Sequence, residues 1–194
     1  MEYVITEYEK VRESFPQFGA VMRQLKIDLV KKATEDWAGK KFGGMYPKAG
    51  EFGISTIMPE LFRNISNVTL TDWEQWLNAT GHQTVMSGSN VGNIYEDYKI
   101  GICGLAFLSK ATRISEVRMQ ISDKKLPRIN IEEAFVYNKP AIVWEDSHIL
   151  DEETGFDLYA YVQTQGPQMI KLIGLQVNKI PNKLQTSNCA AALT

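Results

Sequence analysis

Histidine and cysteine are scarce in this chain, two of each among 194 residues, and that scarcity limits its chemistry. A zinc site needs three or four ligands at suitable geometry, and His82, His148, Cys103 and Cys189 form no local pair at ligand spacing. Two cysteines cannot build a disulfide framework, so two free thiols are expected, Cys103 in a buried strand and Cys189 in a polar tail. A basic excess is also missing. With a net charge of -2, a wide phosphate-neutralising surface is not expected, and any nucleic-acid role is local. No apolar run reaches the length of a membrane span; the longest, residues 100–108, contains Gly101 and Gly104. The opening MEYVITEYEK places Glu2, Glu7 and Glu9 where a secretory signal carries Lys or Arg before an apolar stretch. Synthesis in the cytosol is the expectation.

What the chain does contain is ordinary folding material. Hydrophobic residues make up 44% and charged residues 23%, values that exclude disorder over most of the length. The length suits one domain with an appended arm. Val11, Phe15, Phe18, Met22, Leu25 and Leu29 step by four and three, and Ala33 and Trp37 continue the stripe, which predicts an amphipathic helix. Ser14 is the expected N-cap with Pro16 in the first turn, and Gly39, Gly43 and Gly44 stop the helix. Its other face mixes Arg23, Lys26, Lys31 and Lys32 with Asp28 and Glu35, a solvated pattern. The stripe is too short for a coiled coil, so packing on its own sheet or on a neighbouring subunit is expected. Residues 39–53 read as a loop, giving a helical arm over 1–44, a β-domain over 45–180 and a polar tail over 181–194.

Strand patterns fill the second half: KIGICGLAFL, RISEVRMQIS, RINIEEAFVY, KPAIVWED, GFDLYAYVQT and MIKLIGLQVN. Val117, Met119 and Ile121 alternate against Arg118 and Gln120. Phe156, Leu158, Ala160 and Val162 are the inward set against Asp157, Tyr159 and Tyr161. Apolar residues of both parities over 169–177 predict a strand covered on both faces, Gly174 marks a bulge or close approach, and Gln165, Gly166 and Pro167 are expected to turn a closing hairpin. Between 52 and 93 the pattern is ambiguous: ISNVTLTDW alternates like a strand while 72–77 also fits a short helix, and SGSNVGN is loop chemistry. Strands joined by turn-rich loops predict a mainly β fold, an antiparallel β-sandwich of jelly-roll type behind an amphipathic N-terminal α-helix. No internal repeat suggests a propeller or solenoid.

Residues that invite a chemical role each have a plainer account. Glu145, Asp146, Asp151, Glu152, Glu153 and Asp157 crowd six carboxylates into a stretch without Lys or Arg. Ca²⁺ takes six to eight oxygens, but the spacing matches no EF-hand loop, so a solvated loop between strands is expected. Trp73 and Trp76 beside Asp72 and Glu74 suit a sugar platform or core packing. Asn64, Asn67 and Asn78 begin N-x-S/T triplets that matter only in a secretory pathway. Gly88, Gly92, Gly101 and Gly104 lack the lysine and the strand–loop–helix setting of a phosphate loop. No catalytic, cofactor-binding or metal-ligating residue is assigned, no cofactor is expected, and the chain is read as a non-enzyme.

A sandwich free of catalytic groups, with an amphipathic arm before it and the tail PNKLQTSNCAAALT behind it, resembles viral coat proteins of the single jelly-roll type over about residues 60–180. The resemblance rests on strand layout and carries over no functional residue. It implies a structural, self-assembling protein, a virion coat or capsid subunit made in the host cytoplasm. Its expected partners are copies of itself, through the helix and the sandwich edges, and other virion proteins, with no membrane span. The alternative is a cytoplasmic, non-catalytic module that binds carbohydrate or peptide through Tyr159, Tyr161 and the tryptophans near residue 75. An enzyme of the cupin or isomerase kind, which wants a histidine-rich metal site, fits two histidines poorly.

Overall fold

The structure is a computed structural model that describes residues 2–37, 52–63, 72–88, 92–109 and 113–179. In chain order it runs β1 (Tyr3–Glu7), α1 (Val11–Ser14), α2 (Phe18–Trp37), β2 (Phe52–Thr56), β3 (Phe62–Arg63), β4 (Glu74–Leu77), β5 (Gly81–Gly88), β6 (Tyr98–Phe107) and β7 (Ile114–Ile121). It continues through β8 (Lys124–Lys125), β9 (Ile129–Asn130), β10 (Pro140–Leu150), β11 (Phe156–Val162) and β12 (Gly166–Lys179). Two antiparallel sheets result. The first has the order β1-β10-β6-β12-β2, with β4 also on β12; the second has β3-β5-β11-β7-β8, with β9 also on β7.

The long strands alternate between layers, β5, β7 and β11 in the second sheet and β6, β10 and β12 in the first. Pairing is therefore nested: β2 with β12, β5 with β11, β6 with β10, and β7 with β8 and β9. Ile100, Ile102, Leu105 and Phe107 of β6 meet Val117 and Met119 of β7 and Leu158, Ala160 and Val162 of β11 in the core between the sheets. The inward set predicted for β11 is buried, while Asp157, Tyr159 and Tyr161 face out.

A second core lies on the far side of the first sheet. There Leu25, Leu29, Ala33 and Trp37 of α2 pack on Cys103, Ala106, Ala141, Val143, Ile173 and Val177. The helix comes so close that a Cβ on Gly101 would sit 2.2 Å from a Leu25 methyl, which is why small residues line β6 beneath it. The whole apolar stripe, from Val11 to Trp37, belongs to this core. Of the two partners expected for the stripe, its own sheet is the one observed, so the helix face also expected among the contacts between copies is buried inside the chain. Likewise, the segment read as an arm begins with β1, paired to β10 from Tyr3 opposite Trp144 to Glu7 opposite Pro140.

Other local expectations are corrected. Ser14 closes the short α1 and its Oγ accepts a 2.7 Å hydrogen bond from Thr6 Oγ1, so α2 begins later, at Phe18. RINIEEAFVY keeps two strand residues and turns into a 3₁₀ helix over Glu132–Val136. There Asn130 Oδ1 accepts from the Glu132 N–H at 2.8 Å, and buried Ile131 and Ala134 anchor the turn. The closing hairpin is absent: β11 pairs with β5 and β7, and β12 crosses to the other sheet. Within 72–77, Glu74–Leu77 form the strand β4, while β5 lies where the sequence showed no clear element.

Gly174 meets its expectation. The β12–β6 register shifts between Ile173 and Gly174, and a Cβ there would lie 1.9 Å from the Gly101 carbonyl oxygen. Among the described residues, no helix is long and apolar enough to cross a membrane.

Candidate functional site

The six carboxylates expected to share one loop are in three places, with Glu153 beside Asp151 and Glu152 in the turn between β10 and β11, where its N–H donates to the Ile94 carbonyl. Glu145 and Asp146 lie on an irregularity of β10, where the register against β6 jumps from Val143 to His148. Glu145 meets Glu2, whose hydrogen bond and like charge push the Glu145 carboxyl up from 4.5. Asp157 faces out from β11 and accepts from Ser87 Oγ at 2.7 Å. Asp151 and Glu152 sit at the end of β10, against the C-terminal turns of α2.

Those two acids do not repel each other across empty solvent, because lysines remote in sequence converge on them. Lys99, 1% exposed, reaches Asp36 Oδ2 at 2.6 Å and Asp151 Oδ1 at 3.2 Å. Lys32 also pairs with Asp151. Lys179 reaches Glu152 Oε1 at 2.7 Å, and Trp37 Nε1–H donates to that same oxygen at 2.6 Å. The Trp37 ring lies near both ammonium groups, 5.2 Å from Lys99 Nζ and 4.9 Å from Lys179 Nζ, so cation–π attraction adds to the ion pairs. This network pins α2 to the sandwich. Among the described residues no group of three or more His, Cys, Asp or Glu gathers at metal-binding geometry.

The residues flagged for chemistry are dispersed. Cys103 is buried beneath α2, its Sγ 3.4 Å from the Ile173 carbonyl oxygen, and burial pushes its thiol up to about 12, which leaves it a poor nucleophile. Cys189 lies outside the described residues, as do Asn64 and Asn67. His148 packs edge-on to Trp144 at 6.0 Å. Trp73 packs against Phe62 of the core at 6.4 Å, while Trp76 is 47% exposed at the sheet margin, so the two rings cannot form one platform.

The outer face of the second sheet is different. Tyr159 and Tyr161 form its central row, with Thr84 and His82 opposite them on β5 and Arg118 and Glu116 opposite them on β7. The margin beyond β7 adds Lys125 and Arg128. These side chains enclose an open niche of about 160 Å³ lined by His82, Glu116, Arg118, Lys125, Arg128 and Tyr159. Arg118 Nε–H donates to the Leu126 carbonyl at 2.9 Å, which holds the guanidinium in place. Lys125 Nζ lies 6.0 Å over the Tyr159 ring, His82 meets Tyr161 edge-on at 5.0 Å, and Arg128 pairs with Glu116 at 3.5 Å. Burial and Asp157 push the Tyr159 hydroxyl above its ordinary 10.0, so it is neutral near pH 7.

A third surface is apolar. Val136 is 84% exposed and Phe135, Tyr137 and Tyr3 are also exposed; a hollow of about 430 Å³ lies among Tyr3, Ile5, Glu133, Val136 and Tyr137. It adjoins β1, the end strand of the first sheet.

Comparison with protein-family models, curated proteins and solved structures finds no match for this chain. Sequence reading had singled out Tyr159 and Tyr161 but missed Lys125 and Arg128, although the run DKKLPR carries a local basic bias next to the alternating Arg118. Lys99 and Lys179 were missed because their acidic partners lie 52 or more residues away in three of four contacts and 27 in the fourth, so no local pattern joins them.

Proposed function

We propose that this chain is a structural subunit that assembles with copies of itself, a virion coat subunit built on a jelly roll and made in the host cytoplasm. The nested strand pairing supports the jelly-roll assignment, since that architecture folds eight strands as two interleaved Greek keys and recurs in capsid and lectin domains. The observation that carries assembly is the edge of β1, which among the described residues pairs only with β10 and lies beside the exposed Tyr3, Phe135, Val136 and Tyr137. An unpaired strand edge is a template for another chain, and clustered exposed apolar residues mark interaction surfaces. The assembly contact belongs to this edge, because the helix stripe is already buried. Light scattering across a concentration series, followed by electron microscopy, should show oligomers or closed shells, and Tyr3→Glu with Val136→Glu should reduce them to smaller folded species. A wild-type chain that stays monomeric at high concentration defeats the assignment.

A second reading, a non-catalytic carbohydrate-binding module, is favoured by the open tyrosine-bearing face of the second sheet.

A further inference from the structure

We infer that the outer face of the second sheet binds an acidic glycan, a polysaccharide carrying sulfate or carboxylate groups, with one acidic group seated among Arg118, Lys125 and Arg128. This rests on the carbohydrate-binding reading and sharpens it; it is independent of assembly.

Charge comes first. The chain as a whole carries -2, yet three cations line this one niche against the single lining carboxylate Glu116. Glu116, on β7, is already committed to Arg128, and the outward acid of β11, Asp157, is bonded to Ser87. Arg118 uses Nε on a backbone carbonyl, and among the described residues its Nη groups carry no hydrogen bond, leaving them directed donors of the kind that suits sulfate or carboxylate.

Size and shape argue for a polymer. A niche of about 160 Å³ is below the roughly 300–1,000 Å³ typical of small-molecule pockets. It can take one acidic group of a chain that lies across the open face. Tyr161, exposed and two residues along the strand from Tyr159, then offers an aromatic surface to the adjoining sugar ring.

The aromatic groups also separate glycan from single-stranded nucleic acid. Base stacking needs ring faces free to receive bases. Here Lys125 lies over Tyr159, which leaves Tyr161, met only edge-on by His82, as a single ring contact, enough for one sugar and too few for a run of stacked bases.

The test uses the full chain with dextran sulfate, unmodified dextran and oligo(dT), measured by titration at fixed ionic strength. Dextran sulfate should bind, plain dextran at least about tenfold more weakly, and oligo(dT) more weakly than dextran sulfate. Lys125→Gln with Arg128→Gln, both exposed positions, should weaken dextran sulfate binding about tenfold or more, the order expected for losing hydrogen bonds to charged groups. The charge-matched control Arg23→Gln with Lys26→Gln, on the helix side, should change it less than about twofold. Arg118→Gln, checked by circular dichroism for an intact fold, should act like the first pair. Equal losses in the site and control variants would reduce the effect to non-specific charge and overturn the site. Tighter binding of oligo(dT) would replace glycan with nucleic acid. Equal binding of both dextrans would keep the carbohydrate reading and sink the acidic one, and binding of none of the three would end both.

Discussion

The two sheets share a core but treat their outer faces in opposite ways. On the first, β6 is buried at every position after Tyr98, because Gly101, Cys103, Ala106 and Ala141 leave room for α2 to lie against the backbone. On the second, β11 alternates buried and accessible side chains through its length, and its outward residues are tyrosine and aspartate flanked by arginine, lysine and histidine. A covered face is closed to ligands and made of small apolar groups. An open face must be polar, and so it is where recognition chemistry can be placed. The same contrast locates the ionic network: its central lysine, Lys99, is buried where α2 meets the first sheet, whereas the lysine and arginines of the second sheet reach solvent.

Removing residues 1–37 is the harshest way to break this contrast. It would bare Cys103, Ala106, Val143, Ile173 and Val177 and strip β1 from β10, so the truncated chain should be insoluble or unfolded, as judged by soluble yield and near-ultraviolet circular dichroism. A folded, soluble product would mean that the first sheet tolerates an open face as the second does.

The ionic network gives an asymmetry. Asp36→Asn with Asp151→Asn leaves the Lys99 ammonium buried without a carboxylate and should cost about 3–5 kcal/mol in denaturant unfolding. Lys99→Met leaves only acids that are themselves 41% and 34% exposed and should cost less, about 1–3 kcal/mol. Equal losses would show that Lys99 acts by packing rather than by charge.

Parity within β11 sharpens the comparison further. Leu158→Ala, in the inter-sheet core, should cost about 2–5 kcal/mol, as should Leu29→Ala beneath the helix. Tyr159→Ala, on the open face, should cost about 1 kcal/mol or less. Thermal melts that rank Tyr159 with the leucines would mean that something covers the second sheet too.

The smallest effect concerns pH. Burial holds the His148 imidazole below its ordinary 6.5, against the pull of Asp146. Above that value the ring is neutral in folded and unfolded chains alike. As pH falls through it the unfolded chain takes up the proton first, so stability declines from about pH 6.5 downward until the folded ring protonates too. His148→Gln should flatten that decline in unfolding midpoints recorded from about pH 7 to 5.

Periodicity made much of the architecture legible. The α2 stripe, the inward set of β11, the doubly covered β12 and the close approach at Gly174 all follow from which side chains recur at which spacing, since burial selects one face of a helix or strand. Ser14 and RINIEEAFVY misled because a hydroxyl or an apolar residue has several competing local partners, and Thr6 and the Ile131–Ala134 anchor won.

Residue order alone therefore sets which faces are apolar, and so that a helix and a set of strands must pack into layers. Only the tertiary structure decided which strands pair, because successive strands alternate between sheets and their partners lie far off along the chain. The tertiary structure also decided that the helix covers its own sheet, that Lys99 and Lys179 meet Asp36, Asp151 and Glu152, and that Arg118, Lys125 and Arg128 surround Tyr159. Each of these depends on distance in space, and a local pattern of residues carries no record of it.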